Sequence, residues 1–321
     1  MATYAGVDLG GTNVRAVVAD ADGNVLGSHR QAAPRGPNGL AVTEAILDCL
    51  REASAAASVE PSETTAAAIA AAGRLDLTEG LVEPTNIPVG EVPLRGPVSN
   101  LLETDEIRLH KDVAAGVIGE RYHADRNPDD MAYLTISSGI GAGIAVDGSI
   151  LSGWDGNAGE VGHLTVDPTG EMTCGCGHDG HWEGYCSGAN IPAYARRLWT
   201  KADRPATAVP IENDDVTAAD VFAHAEGDSF AEHVVERLAD WNALGVANIV
   251  HAYAPLVISI GGAVALNNEA LVVDPIRERL GGLVMTNVPE IRLTDFGDDV
   301  VVRGALASAL TGGTGDIDRH E

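Results

Sequence analysis

Apolar residues alternate with polar ones or run together at positions 3–9 and 13–20, and the break between the two runs is the Gly10-Gly11-Thr12 turn. This pattern predicts two β-strands joined tightly, and Asp22-Gly23 marks a hairpin into a third strand. From Gly39 to Ser58, Val42, Ile46 and Leu50 recur every fourth residue, which predicts an amphipathic helix. Strands are expected near 65–72 and 106–110. They flank a stretch rich in glycine and proline, Gly73 to Pro97, expected to be largely loop. The alanine-rich residues 53–72 read as helix and strand filler, not as a linker.

The opening pattern returns. The segment from Tyr133 through Ser137-Ser138-Gly139-Ile140-Gly141-Ala142-Gly143 to Leu151 repeats the order strand, glycine turn, strand, Asp-Gly turn, strand first seen from Tyr4. A duplicated β-β-β-α unit is therefore expected. Residues 183–200 and 228–254 read as helices, and Pro255-Leu-Val-Ile-Ser-Ile as a buried strand running into Gly261-Gly262. Asp298 or Asp299 is expected to cap a last helix through Leu310.

Length and composition sharpen this picture. At 321 residues and 45% apolar content, the chain is expected to form two lobes with a cleft between them. Its start shows no basic leader and no apolar run long enough to span a bilayer, so a cytoplasmic location is expected. The formal charge is −27, and all but Lys111 and Lys201 of the 20 basic residues are arginine. Such a surface repels nucleic acid and anionic membrane. It resembles the carboxylate shell of proteins from salt-accumulating cells, whose electrolyte screens self-repulsion.

The chemistry-bearing residues cluster at the turns. Asp8 ends a strand just before Gly10, Gly11 and Thr12, whose amides and hydroxyl suit a phosphate, although an ordinary hairpin looks the same. Ser138 and Gly139 form the matching turn in the second half, which suggests one nucleotide held across a cleft. Gly261 and Gly262 offer a third close backbone approach, suited to adenosine. No Gly-x-x-x-x-Gly-Lys-Ser/Thr occurs, so a P-loop is excluded. Asp112 follows the strand at 106–110 and heads a helix, as a reactive carboxylate or as a plain cap.

The densest group runs from Glu160 and His163 to Cys174-Gly175-Cys176-Gly177-His178-Asp179-Gly180-His181-Trp182-Glu183. Two thiolates and two imidazoles at this spacing can enclose a tetrahedral Zn²⁺ with no open position, a structural site. Cys174 and Cys176 are too close to bridge each other comfortably, and Cys49 sits on an apolar helical face as a core residue.

These residues together resemble the ROK family of sugar kinases (repressors, open reading frames, kinases), and within it the zinc-containing glucokinases. The resemblance runs from Asp8 to the Arg303-Gly-Ala-Leu-Ala-Ser-Ala-Leu helix. Glu-x-Gly-His with Cys-x-Cys-Gly and a following Glu is its specific part. It implies an α/β, duplicated actin-like ATPase (ribonuclease H-like) fold. The small lobe is 1–110, joined by a C-terminal helix at 299–314, and the large lobe is 111–298.

The resemblance also implies transfer of the ATP γ-phosphate to a hexose, glucose first. N-acetylmannosamine, N-acetylglucosamine or fructose is the alternative substrate, and a sugar-binding protein without catalysis the alternative function. Asp112 matches the general base, Asp8 the carboxylate that positions Mg²⁺, and Gly10, Gly11, Thr12, Ser138 and Gly139 the phosphate holders. Asn86, Glu160, His163 and Glu183 match positions that bind sugar hydroxyls, and Gly73 a backbone approach to the sugar. The zinc ligands matched are His163, Cys174, Cys176 and His181, the last replacing a cysteine, with His178 or Cys186 as substitutes. Lys111 and Ala114 stand where the family carries asparagines beside the base, and Asn13 where many members carry lysine. A homodimer or tetramer is implied. The family's repressors carry an N-terminal helix-turn-helix before the first glycine turn, and none is expected here.

Overall fold

The computed structural model describes residues 2–316. Strands β1 (Thr3–Leu9), β2 (Asn13–Asp20) and β3 (Val25–Ala32) open the chain, followed by helix α1 (Gly39–Ala57) and strand β4 (Thr64–Ala71). Short strands β5 (Gly73–Asp76), β6 (Leu81–Pro84) and β7 (Val92–Pro93) lead to α2 (Arg95–Leu102), β8 (Ile107–Lys111) and α3 (Asp112–His123). The pattern recurs with β9 (Met131–Ile136), β10 (Ile140–Val146) and β11 (Ser149–Ile150). Helices α4 (Glu183–Cys186), α5 (Ile191–Lys201), α6 (Ala218–Ala223) and α7 (Ser229–Tyr253) come next. The chain continues with β12 (Val257–Gly261), α8 (Ala263–Asn267), α9 (Glu269–Leu280), β13 (Glu290–Leu293) and α10 (Val300–Thr311).

The duplication is visible in the sheets. One has the order β3-β2-β1-β4-β8 and the other β11-β10-β9-β12-β13, the same path traced twice. In the first, β1 pairs antiparallel with β2 and parallel with β4, which pairs parallel with β8. This is the duplicated α/β, actin-like fold.

By compactness the chain divides into two units. One runs from the N-terminal strands through Tyr133, takes up Gly143–Gly159 and closes with the segment from Asp299 onward; the other comprises Leu134–Ala142 and Glu160–Asp298.

In the first unit α1 buries Val42, Ile46 and Leu50 against the alternate residues Ala5, Val7 and Leu9 of β1. The Cys49 thiol donates to the carbonyls of Val14 and His29 within this core. The opposite face of β1 carries α10 at close range. A Cβ on Gly6 would lie 2.6 Å from the Leu306 amide, and one on Gly119 of α3 would lie 2.8 Å from the Gly304 Cα. Arg121, fully buried, donates to the carbonyls of Pro128 and Thr314 and pairs with Asp129 and Asp316, which fastens the segment after α10 to α3.

Three expectations need correction. Residues 73–97 are not largely loop but an antiparallel three-stranded sheet, β5-β6-β7, leading into α2; Leu75, Val82 and Val92 are buried in it. The helix expected over 183–200 is broken at Ser187–Asn190, because the Gly188 amide donates to the Ser137 carbonyl. Asp299 occupies the first cap position of α10 but makes no side-chain cap there, and pairs with Arg15 at 3.2 Å instead.

Candidate active site and metal cluster

Register brings the first group of residues together. Leu9 pairs with Ala71, and Ala71 with Lys111. Gly10, Gly73 and Asp112 therefore follow the carboxyl ends of three adjacent parallel strands, the edge at which open α/β sheets bind ligands. The turn is closed by the Gly10 amide donating to the Asn13 carbonyl at 3.0 Å, and Thr12 is exposed beyond it. A Cβ on Gly11 would lie 2.7 Å from the Asn86 Cβ, so Asn86 lies directly on this turn. At Gly73, φ is +142° and a Cβ would collide with the Glu83 carbonyl across β6, which excludes other residues.

Two carboxylates share this edge. Asp112 is the first residue of α3, and its Oδ1 accepts from the Val113 amide at 2.9 Å. Asp8 stands opposite Arg15 in the β1–β2 ladder. Lost hydration pushes the Asp8 carboxyl up to about 7; Arg15 pulls it down, Asp112 adds to the rise, and Arg30 opposes it. Lys111, immediately before Asp112, is 6% exposed.

In the second unit the turn at Ser138 and Gly139 is braced differently. The Ser137 amide donates to the Gly139 carbonyl, and the Ile140 amide donates to Glu183 Oε2 at 2.8 Å. The other oxygen of Glu183 lies 4.0 Å from Cys174 Sγ. One carboxylate thus joins the glycine turn to the cysteine loop.

That loop gathers four donors. Among the described residues, His163, Cys174, Cys176 and His181 present ligand atoms that all lie within 4.8 Å of one another. A tetrahedral zinc with Zn–S of about 2.3 Å and Zn–N of about 2.0 Å needs donor separations of roughly 3.3–3.8 Å, so the cluster fits the ion with slight contraction. His163 turns Nδ1 toward Cys174 Sγ (3.7 Å) and Nε2 toward Glu160 Oε2 (3.7 Å). Burial pushes the Cys174 thiol up to about 11, so a nearby cation is what would make it a thiolate. The loop is anchored by buried Trp182, whose Nε1 donates to Asn242 on α7.

The two substitutes considered for this cluster fall outside it. Cys186 is buried and donates to the Leu238 carbonyl. His178 Nδ1 lies 3.7 Å from Cys176 Sγ, outside the four-residue group.

Gly261 ends β12. Gly262 has φ +88°, and a Cβ there would lie 2.5 Å from the Ile136 carbonyl of β9, so only glycine fits. Beyond it opens a cavity of about 470 Å³, lined by Gly188, Thr217, Phe222, Ala263, Val264 and Asn267 among others. Sequence reading found the glycines but missed Thr217, Phe222 and Asn267, which lie at ordinary helix caps and faces. It also missed Arg15, which pairing the strands outward from the Gly10-Gly11-Thr12 turn would have set opposite Asp8.

The chain is 33% identical over 314 residues to a glucokinase of Pyrobaculum calidifontis, covering 96% of this chain and 95% of that one. Among solved structures, a ROK hexokinase from Thermus thermophilus matches with a TM-score of 0.79 and 30% identity over 96% of this chain and 97% of that one. A ROK family glucokinase from Streptomyces griseus in complex with glucose and AMPPNP matches with a TM-score of 0.74 and 28% identity, over 96% and 99% of the two chains. The model of the ROK family matches residues 4–311, and this chain belongs to the ROK family.

Proposed function

We propose that this chain is an ATP-dependent hexose kinase that converts glucose to glucose 6-phosphate. The observation that carries the reading is the alignment of Gly10, Gly73 and Asp112 along one strand edge, with Asn86 on Gly11, in a chain similar to glucokinases over nearly its whole length.

Asp112 takes the proton of the attacking sugar hydroxyl while that oxygen bonds to the γ-phosphorus and the β–γ bridging oxygen leaves with ADP. Its place at the head of α3 fixes the carboxylate, which matters more than basicity for a base of this kind. Gly10, Gly11, Thr12, Ser138 and Gly139 hold the phosphates with amides and hydroxyls, where charge on the transferred group is stabilised. Asp8 would position Mg²⁺, whose charge would hold that carboxyl ionised against its loss of hydration. The adenosine takes the cavity beyond Gly261 and Gly262.

Asn86, Glu160, His163 and Glu183 bind sugar hydroxyls, and Gly73 lets the backbone approach the ring. His163, Cys174, Cys176 and His181 would hold Zn²⁺, which when bound would supply a fixed structural node and no step of the reaction. With Nδ1 turned to the thiolates, His163 keeps Nε2 for a hydroxyl, its tautomer fixed.

Residues 1–110 with 299–314 form one functional lobe in this reading and 111–298 the other. The enzyme works in the cytoplasm as a dimer or tetramer, in concentrated salt that screens its −27 charge.

A coupled ADP-release assay in molar potassium chloride with Mg²⁺-ATP tests the proposal. Glucose-dependent turnover exceeding that with mannose, fructose, N-acetylglucosamine and N-acetylmannosamine is expected. Faster turnover with an N-acetylated sugar would reassign the substrate, and folded protein silent with every sugar would overturn the kinase reading.

A further inference from the structure

The chain carries 47 acidic residues against 20 basic ones, yet three arginines meet at one cavity of the first unit. The cavity measures about 440 Å³ and lies where α10 packs beside β2 and β3. Arg15, Arg30 and Arg303 line it, with Asp299 as the acidic residue of the lining. Arg15 and Arg30 are cross-strand partners, so their side chains stand side by side on one face of the sheet. Asp299 is committed to Arg15 at 3.2 Å. Arg30 and Arg303 are exposed at the rim, and Arg30 also acts on the Asp8 carboxyl.

Below the rim the lining changes character. Val25, Val302 and Leu306 supply an apolar wall, and Val25 is 51% exposed. A wall of aliphatic carbon under a rim of guanidinium groups suits a ligand of two parts. The volume is in the range of small-molecule sites. Guanidinium forks match phosphate oxygens in shape and charge better than they match a halide or a neutral polar group.

We propose that this cavity is a binding site for a small phosphomonoester with an apolar body, separate from the sites for ATP and sugar. The phosphate sits on Arg30 and Arg303, and the carbon skeleton on Val25 and Leu306.

The test uses the full chain with saturating AMPPNP, Mg²⁺ and glucose, and titrates phenyl phosphate, inorganic phosphate and phenol by calorimetry. Phenyl phosphate is expected to bind once per chain, roughly tenfold tighter than inorganic phosphate, with phenol not binding measurably. The double variant Arg30→Ala/Arg303→Ala should weaken phenyl phosphate by about tenfold or more with an unchanged circular dichroism spectrum. Val25→Asp, at an exposed position, should weaken it similarly and serves if the double variant misfolds. Absence of binding, equal affinity for inorganic phosphate, or indifference to these substitutions overturns the proposal. So does binding that appears only when AMPPNP is left out, which would assign the phosphate to the donor site.

Discussion

The two glycine turns occupy equivalent places in two sheets of the same strand order, yet different groups brace them. At Gly10-Gly11-Thr12 the neighbours are an asparagine and a pair of carboxylates, Asp8 and Asp112, on one strand edge. At Ser138-Gly139 the neighbour is Glu183, whose two oxygens reach the turn on one side and the Cys174 thiol on the other. Duplication preserved the path of the chain, while each copy placed different groups against its turn. The first copy gathered two carboxylates. The second gathered a donor cluster and an apolar cavity.

The substitution that breaks this contrast most severely is Asp112→Asn. If the reactive carboxylate belongs to the first copy alone, turnover should fall by about 10²–10⁴-fold while glucose binding, followed by calorimetry, stays within a factor of a few. A loss of glucose binding equal to the loss of turnover would make Asp112 a sugar ligand and not a base.

Next in size is metal removal, which should strike only the second copy. Mass spectrometry is expected to find about one zinc per chain, lost in Cys174→Ala and His181→Ala and retained in Cys186→Ala. The first two variants should melt roughly 5–10 °C lower. Full zinc content in His181→Ala together with loss in His178→Ala would redraw the ligand set.

Gly11→Ala sharpens the comparison from the other side. The added methyl would lie 2.7 Å from the Asn86 Cβ and must displace it, so the KM for glucose should rise about tenfold with kcat less affected. An unchanged KM would remove Asn86 from the sugar site.

The smallest effect concerns Asp8. Its carboxyl is raised from 3.8 to about 7 in the folded chain, so between those values the folded protein binds more protons than the unfolded one. The stabilisation is complete below about pH 4 and is lost as pH rises through 7. The melting temperature of wild type relative to Asp8→Asn, measured without Mg²⁺ or nucleotide, should therefore fall by a few degrees from pH 4 to 7, within about 5 °C. A difference independent of pH would show that the carboxyl is not raised.

Much of this arrangement was legible because it is local. The glycine turns, the Val42–Ile46–Leu50 stripe and the Cys174 to His181 cluster each announce themselves within a few residues. The strands at 73–97 did not, since Pro84, Pro88, Pro93 and the four glycines from Gly73 to Gly96 imitate a loop, and only pairing among β5, β6 and β7 turns them into a sheet. Contacts distant in sequence stayed hidden. Nothing in the order of residues says that Asn86 rests on Gly11, that Glu183 accepts from Ile140, or that Asp299 abandons its helix for Arg15. These links join residues 43 to 284 positions apart, and neither propensity nor periodicity reaches that far.

The packing of α10 on β1 and α3 bears on how the protein is born. The first strands to leave the ribosome cannot complete their layer until the last helix of the chain arrives, because Gly6 and Gly119 are spaced for Leu306 and Gly304. Arg121 likewise waits for Thr314 and Asp316. At a synthesis rate of about 5–20 residues per second, the nascent N-terminal sheet spends tens of seconds with one face uncovered. Chaperone dependence should accordingly be set by the final few dozen codons, and a ribosome stalled shortly before Val300 should hold a chain far more sensitive to protease in its first 130 residues than in those of the second unit.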